Sequence, residues 1–257
     1  MPFTLAHPAA VLPLRRVWHL RTAPLILGAM APDVPYFLPF AIAHYLPLTH
    51  AFAHSFTIDL LLGYLLLGGI FLLRRPLTAL LSARARALCL RSLGAFREPV
   101  EWLYAAPAIL IGVWTHLLWD SFTHADGWMV HRVSAFSAPL VLGSYVEPVY
   151  HVLQYLSSVV GLFVLALWYA RLPAAASASG AGAARSPAGP VLVLVIAAAM
   201  LIGGVQATQH FAHAPSVYRT LDLLLTDSLR WFAALYLTAG VVLTLEHAEQ
   251  QLPDAGG

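Results

Sequence analysis

Three residues recur at intervals of four in the stretch GVWTHLLWDSFTHADGW: His116, Asp120 and His124. Side chains four apart on a helix lie above one another on one face. These three therefore form a polar stripe on a helix that is otherwise apolar. A single histidine in such a setting often does no more than hydrogen-bond a neighbouring helix. Three ionisable groups on one stripe are harder to excuse, because each costs several kcal/mol at depth in a bilayer unless it is paired or bound to a metal. The balance favours chemistry over packing.

Three further motifs carry the same residue types. In GAMAPDVPYFLP, Asp33 stands between Pro32 and Pro35, which restrict its backbone and suit a preorganised ligand; taken alone it reads equally well as the cap of a short helix. In HAFAHS, His50 and His54 are again four apart, and the bland reading is a pair of wetted imidazoles at a helix start. His7, in FTLAHP, is too isolated to mean anything by itself. Together the four motifs make a nitrogen and oxygen ligand set without cysteine, which suits zinc, or manganese or iron. Shared carboxylates are how such sites hold two ions close enough to activate water and grip a phosphoryl oxygen. The one cysteine, Cys89, lies in an arginine-rich loop and has no partner for a disulfide within the chain. A Gly-x-Ser-x-Gly elbow is absent, as are Walker patterns and glycine-rich phosphate loops.

The elements that must position these residues are membrane helices. The chain is 60% hydrophobic and 10% charged, with a mean hydropathy of +0.74; soluble domains run at about 25% charged. Lipid must cover such a surface. Five segments approach the roughly 20 apolar residues a span requires: about 55–73, 102–122, 148–170, 190–210 and 226–245. The expected fold is an all-α polytopic bundle of about five full spans, as a single integral membrane domain over residues 1–257. Within it, residues 1–54 are broken by Pro13, Pro24, Pro32, Pro35, Pro39 and Pro47 into short or re-entrant helices tucked against the bundle. Residues 55–170 hold the core spans, 171–189 a flexible Ala/Ser/Gly linker, and 190–245 two C-terminal spans. No charged region precedes an apolar run at Met1–His7, so no cleavable signal peptide is expected. A net charge of +2 is too small for a nucleic-acid footprint; the bilayer is the expected partner.

Arginine placement sets the orientation. Arg74, Arg75, Arg84, Arg86, Arg91 and Arg97 follow the first span, and Arg171 and Arg185 follow the third. That face is expected to be cytoplasmic, with the C-terminus, and the His116–His124 end outward. Arg15, Arg16 and Arg21 fit if residues 8–20 run inward and 22–32 return, so that His7 and Asp33 meet at one end and the arginines at the other.

The order of motifs, an early His, then GAMAPDVPYFLP, HAFAHS and GVWTHLLWDSFTHADGW, resembles a bacterial integral-membrane family described as domain of unknown function 4184. It is also similar to the inner-membrane metal-dependent hydrolases and, more distantly, to the zinc-dependent phospholipase C group. The resemblance covers about residues 1–130, and with PVYHVLQYLSSVVGL reaches about 165. It implies one metal position from Asp33, His54 (or His50), His116 and Asp120, a second where His7 joins Asp120, and a further place for His124. It makes Asp33 and Asp120 the candidate catalytic carboxylates and zinc the first candidate metal. The late His-and-Glu helix of the phospholipases is reversed here as Glu147-Pro-Val-Tyr-His151 with Gln154, so one or two ions are expected rather than three. His151, Gln154 and the intramembrane Arg230 are candidates for lining the cavity or contacting substrate. The implied activity is hydrolysis of a phosphodiester or phospholipid in the bacterial cytoplasmic membrane. The alternative is a non-catalytic protein that binds or carries a divalent metal. A b-type haem fits less well, because a neutral porphyrin pocket gains nothing from aspartates beside its histidines.

Reporter fusions check the orientation. Fusions after Arg86 and at the C-terminus are expected to read cytoplasmic and one after Asp126 external; inverted signals would overturn the outward-facing site.

Overall fold

The computed structural model describes residues 4–14, 20–37, 46–143, 145–171, 188–213 and 217–249. Arg15 and Arg16, and most of the expected linker, lie outside these described residues. The chain forms two compact units, Met1–Leu67 with Glu98–Leu172 and Gly68–Arg97 with Pro173–Gly257.

In the first unit the N-terminal third is a series of short pieces, as its prolines require. A 3-10 turn at Thr4–Ala6 leads into α1 (Pro8–Val11), and α2 (Thr22–Gly28) is followed by a 3-10 turn at Ala31–Asp33 and by α3 (Val34–Phe37). After α4 (Leu46–Thr49) and the 3-10 turn Phe52–Phe56 comes α5 (Ile58–Leu72); α6 (Arg74–Ala79) and α7 (Ala83–Gly94) follow it. The long α8 (Pro99–Thr123) then carries His116 and Asp120, with His124 at its C-terminal cap. Its start is set by Glu98 in extended backbone and Pro99 at the first helical position, where a missing N–H costs nothing. It stops where His124 turns extended, at φ −123° and ψ 148°.

Close backbone contact between α2 and α8 fixes the N-terminal segment. A Cβ on Gly112 would lie 2.3 Å from the Leu25 carbonyl oxygen and 2.6 Å from the Ala29 nitrogen. A Cβ on Gly28 would lie 2.1 Å from the Ile109 oxygen. Only glycine at both positions lets the two backbones meet, the small-residue packing common between membrane helices. Val11, Leu25, Ala29 and Ala108 form the apolar core beside this crossing. At the far end of α8 the Arg21 guanidinium holds the Glu101 carboxylate, with Nε 2.7 Å from Oε2. His7 and Asp33 thus lie at the Asp120 end of the helix and Arg21 at the other.

Beyond α8, a short helix α9 (Trp128–Arg132) leads to a hairpin of β1 (Pro139–Leu142) and β2 (Tyr145–Pro148), then to α10 (Val149–Arg171). Leu142 pairs with Tyr145 across the turn, where Gly143 adopts φ 65°, the sign a two-residue hairpin turn requires. Four-residue strands carry too short an alternation to stand out in a sequence.

The second unit consists of α6, α7, α11 (Ala188–His213) and α12 (Val217–Glu249). α11 and α12 pack along each other, with Gly203 against Ser228, where a Cβ would come within 2.6 Å of the Ser228 nitrogen. Tyr236 donates to the Leu77 carbonyl at 2.8 Å, and Leu80, Ala188 and Leu243 close a small core.

Among the described residues, four helices are long and apolar enough to cross a membrane: Pro99–Thr123, Val149–Arg171, Ala188–Gln209 and Thr220–His247. The remaining expected span, at 55–73, is shorter than the sequence suggested. Its helix has 15 residues, about 22 Å against a hydrocarbon core of roughly 30 Å. Thr57, at φ −123° and ψ −83°, breaks it from the preceding turn.

The crossing can be tested. Gly112→Ala is expected to lower stability by about 1–3 kcal/mol, the range for overpacking, read as a fall in Tm in detergent. Gly69→Ala, where nothing lies within 4 Å of the added carbon, is expected to be neutral or slightly stabilising because alanine is the better helix former.

Candidate metal centre

His116 and Asp120 lie one turn apart on the buried face of α8, at 0% and 6% exposure. His116 Nδ1 donates to the Ala29 carbonyl at 2.9 Å. A carbonyl only accepts, so a proton sits on Nδ1, and Nε2 points inward. There it meets two carboxylate oxygens, Asp33 Oδ1 at 3.4 Å and Asp120 Oδ2 at 3.2 Å. His50, just past α4, brings its Nε2 to 3.4 Å from the same Asp33 oxygen and 3.5 Å from the same Asp120 oxygen. One ligand atom from each of Asp33, His50, His116 and Asp120 lies within 4.8 Å of the others.

Asp33 is held from behind. Its Oδ2 accepts from the Thr4 hydroxyl at 2.6 Å, leaving Oδ1 to face the imidazoles. The other oxygen of Asp120 faces a second pair, His7 Nε2 at 3.5 Å and His124 Nδ1 at 3.4 Å. His7 stacks on His116 with ring centroids 4.0 Å apart and meets the edge of Trp119 at 5.4 Å. Gln154, on α10, donates from its amide nitrogen to His124 Nε2 at 2.9 Å, while its own Oε1 is buried without a hydrogen-bond partner. With Nε2 accepting, the His124 proton sits on Nδ1, 3.1 Å from the Thr123 hydroxyl and 3.4 Å from Asp120 Oδ1.

The unpartnered atoms of the cluster invite a cation. Asp33 Oδ1, His116 Nε2 and both Asp120 oxygens are buried with no hydrogen-bond partner among the described residues. Acceptors buried in this way are costly unless satisfied. Burial, with the neighbouring His116, holds the His7 imidazole down to about 4, so it is neutral at pH 7, the form that ligates metal. At His50 burial opposes the charged form, but the Asp120 and Asp33 carboxylates beside it outweigh burial and push the pKa up to about 9. Burial would raise the Asp33 carboxyl, yet the His116 and His50 imidazoles outweigh it and hold it below the usual carboxylate range. The carboxylates attract positive charge, which protons on imidazole or a divalent cation can supply. The residues fit a divalent metal.

Of the residues singled out from the sequence, His7, Asp33, His50, His116, Asp120 and His124 come together, with Gln154 beside His124. His54 does not join them; it lies half-buried on the 3-10 turn. His151 pairs with Glu147 at 2.8 Å, and Arg230, in the second unit, pairs with Asp227 at 2.8 Å. Thr4 and the Ala29 carbonyl were not anticipated. The signal for Thr4 was a lone hydroxyl one turn before His7; a backbone carbonyl leaves no trace in sequence. Asp59 on α5 is also buried, with neither oxygen hydrogen-bonded among the described residues, and its sequence signal was a lone charge inside an apolar run.

A cavity of about 840 Å³ opens from the centre. His50, Asp120 and His124 line it, and so do the exposed Trp128, His131 and Arg132.

A family model described as "Domain of unknown function (DUF4184)" matches residues 1–245, and the chain belongs to that family. No curated protein and no solved structure matches the chain.

The Thr4 contact yields a direct test. Thr4→Val leaves Asp33 Oδ2 without its donor at a fully buried position, and is expected to cost about 1–3 kcal/mol, measured as Tm. Thr4→Ser, which keeps the hydroxyl, should recover most of the loss.

Proposed function

We propose that this member of the DUF4184 family is a membrane-embedded, metal-dependent hydrolase acting on phosphodiester or phospholipid substrates. The observation that carries the reading is the Asp120 carboxylate: each of its oxygens faces two imidazole nitrogens, and neither has a hydrogen-bond partner among the described residues. Asp33, His50, His116 and one Asp120 oxygen would hold one divalent ion. His7, His124 and the other Asp120 oxygen would hold a second. Zinc suits this donor set best, with manganese or iron as the other candidates. Ions so held lower the pKa of water and polarise a phosphoryl oxygen.

The chain's own residues do the rest. Ala29 and Thr4 orient His116 and Asp33 from behind, as outer partners of metal ligands do. Asp33, its Oδ2 held by Thr4, would turn Oδ1 to the first ion as a ligand. Trp119, whose indole nitrogen donates to Ser157 at 3.1 Å, packs against His7 and shields that side from water. The arginine distribution supports a centre toward the outer face of a bacterial cytoplasmic membrane, with the C-terminus inside.

Elemental analysis of detergent-purified protein is expected to find about one to two zinc or manganese ions per chain. Asp120→Asn should lose most of the metal, because both positions share that residue, and His116→Leu should lower metal content and Tm together. His54→Ala should retain metal. Loading should weaken as pH falls, since imidazole must shed its proton to ligate. Wild-type protein that is folded and metal-free after zinc addition would overturn the reading. Metal dependence without hydrolysis of any phosphodiester would leave a binding or carrier protein.

A further inference from the structure

Among the described residues, Arg132 is a cation with no carboxylate partner. It lies at the end of α9 and is exposed. Its guanidinium stands 5.2 Å from the centroid of the Trp128 ring, and no carboxylate lies within ion-pair distance among the described residues. It shares a cavity with Asp120 and His124, the residues assigned above to the second metal position. An arginine stacked on an aromatic face keeps its N–H edge free and fixes its plane, the arrangement suited to a phosphate or carboxylate.

Two other features of the cavity narrow the ligand. Asp126 lines it too, and the structure pairs it with no cation among the described residues. A second negative charge on the ligand would face that carboxylate, so a monoanion is favoured over a dianion. Phe52 also lines the cavity and is 63% exposed. It forms an aromatic group with Phe56 and Trp114, at ring separations of 5.9 and 5.7 Å, beside the apolar helix α5. The cavity therefore joins a cation and a metal-ligand cluster to an apolar surface.

We propose that Arg132 is the anion-recognising residue of this cavity and that the ligand is a monoanionic phosphodiester bearing an apolar substituent. Placing a reacting group at the metal ligands rests on the function proposed above; the Arg132 contact does not. A phosphodiester has one negative charge shared by two free oxygens, which the guanidinium can grip in parallel. Phosphomonoesters, as dianions near neutral pH, meet Asp126 as well.

The test is calorimetric titration of zinc-supplemented, detergent-purified protein with dimethyl phosphate, inorganic phosphate and dihexanoylphosphatidylglycerol. Elemental analysis is run on the same samples. Arg132→Ala is expected to weaken dimethyl phosphate and the lipid by about tenfold or more, the scale of a lost charge-assisted contact, while keeping the wild-type metal content. Arg132→Lys should restore part of the affinity, since it returns the charge without the fork. Asp126→Asn should strengthen inorganic phosphate more than dimethyl phosphate. Tighter binding of the lipid than of dimethyl phosphate identifies a membrane source for the diester, and equal binding a soluble one. If the wild type proves metal-free but Arg132→Ala still weakens binding, the metal reading falls and this one stands. Wild type that binds neither diester, or a folded, metal-loaded Arg132→Ala protein that binds both as wild type does, overturns the proposal.

Discussion

A carboxylate placed on an apolar helix must find positive charge or be expensive to bury. Asp120 meets that constraint by sharing itself among four imidazoles, two on each oxygen. Two of those imidazoles come from its own helix, one turn before and one turn after. The other two, and the second carboxylate, come from the first fifty residues. That is why a segment so rich in proline is packed as short pieces around α8: it has to deliver His7, Asp33 and His50 to a point that no straight span passing α8 could supply with all three. The Gly28 and Gly112 contact sets the depth of this delivery, because it places the Ala29 carbonyl against His116 Nδ1.

Behind the ligands stands a layer of neutral donors and acceptors. Thr4 fixes Asp33, Ala29 fixes the His116 tautomer, Gln154 fixes His124, and Trp119 packs on His7. None of these carries charge, so the layer orients the ionisable groups without adding to the electrostatic cost of burying them. The exposed polar residues of the cavity lie on α9 and the turn before it. They are free to face solvent or headgroups, where unpaired charge costs little.

Much of this was legible in the sequence, and what was not has physical reasons. Four-residue spacing gave the His116, Asp120 and His124 stripe, because helical periodicity is a property of the chain itself. The meeting of His7 with Asp33 followed from the run of prolines and the position of Arg21. Spacing could not choose between His50 and His54, since both lie on one face of any helix; a 3-10 turn, not an α-helix, holds His54, and only His50 reaches the carboxylates. The 55–73 segment read as a full span because hydropathy is blind to backbone breaks such as the one at Thr57. The hairpin at 139–148 was missed because strands of four residues repeat their alternation too few times. Pairings made by backbone atoms, as between Ala29 and His116, are beyond any reading of side-chain types.

The Ala29 carbonyl and His116 are 87 residues apart in the chain. At synthesis rates of about 5–20 residues per second, the N-terminal ligands emerge several seconds before the helix that completes their site. During that interval Asp33 and His7 lack the His116 and Asp120 side chains that they face in the folded chain. Assembly of this protein is therefore a late docking of its beginning onto its middle.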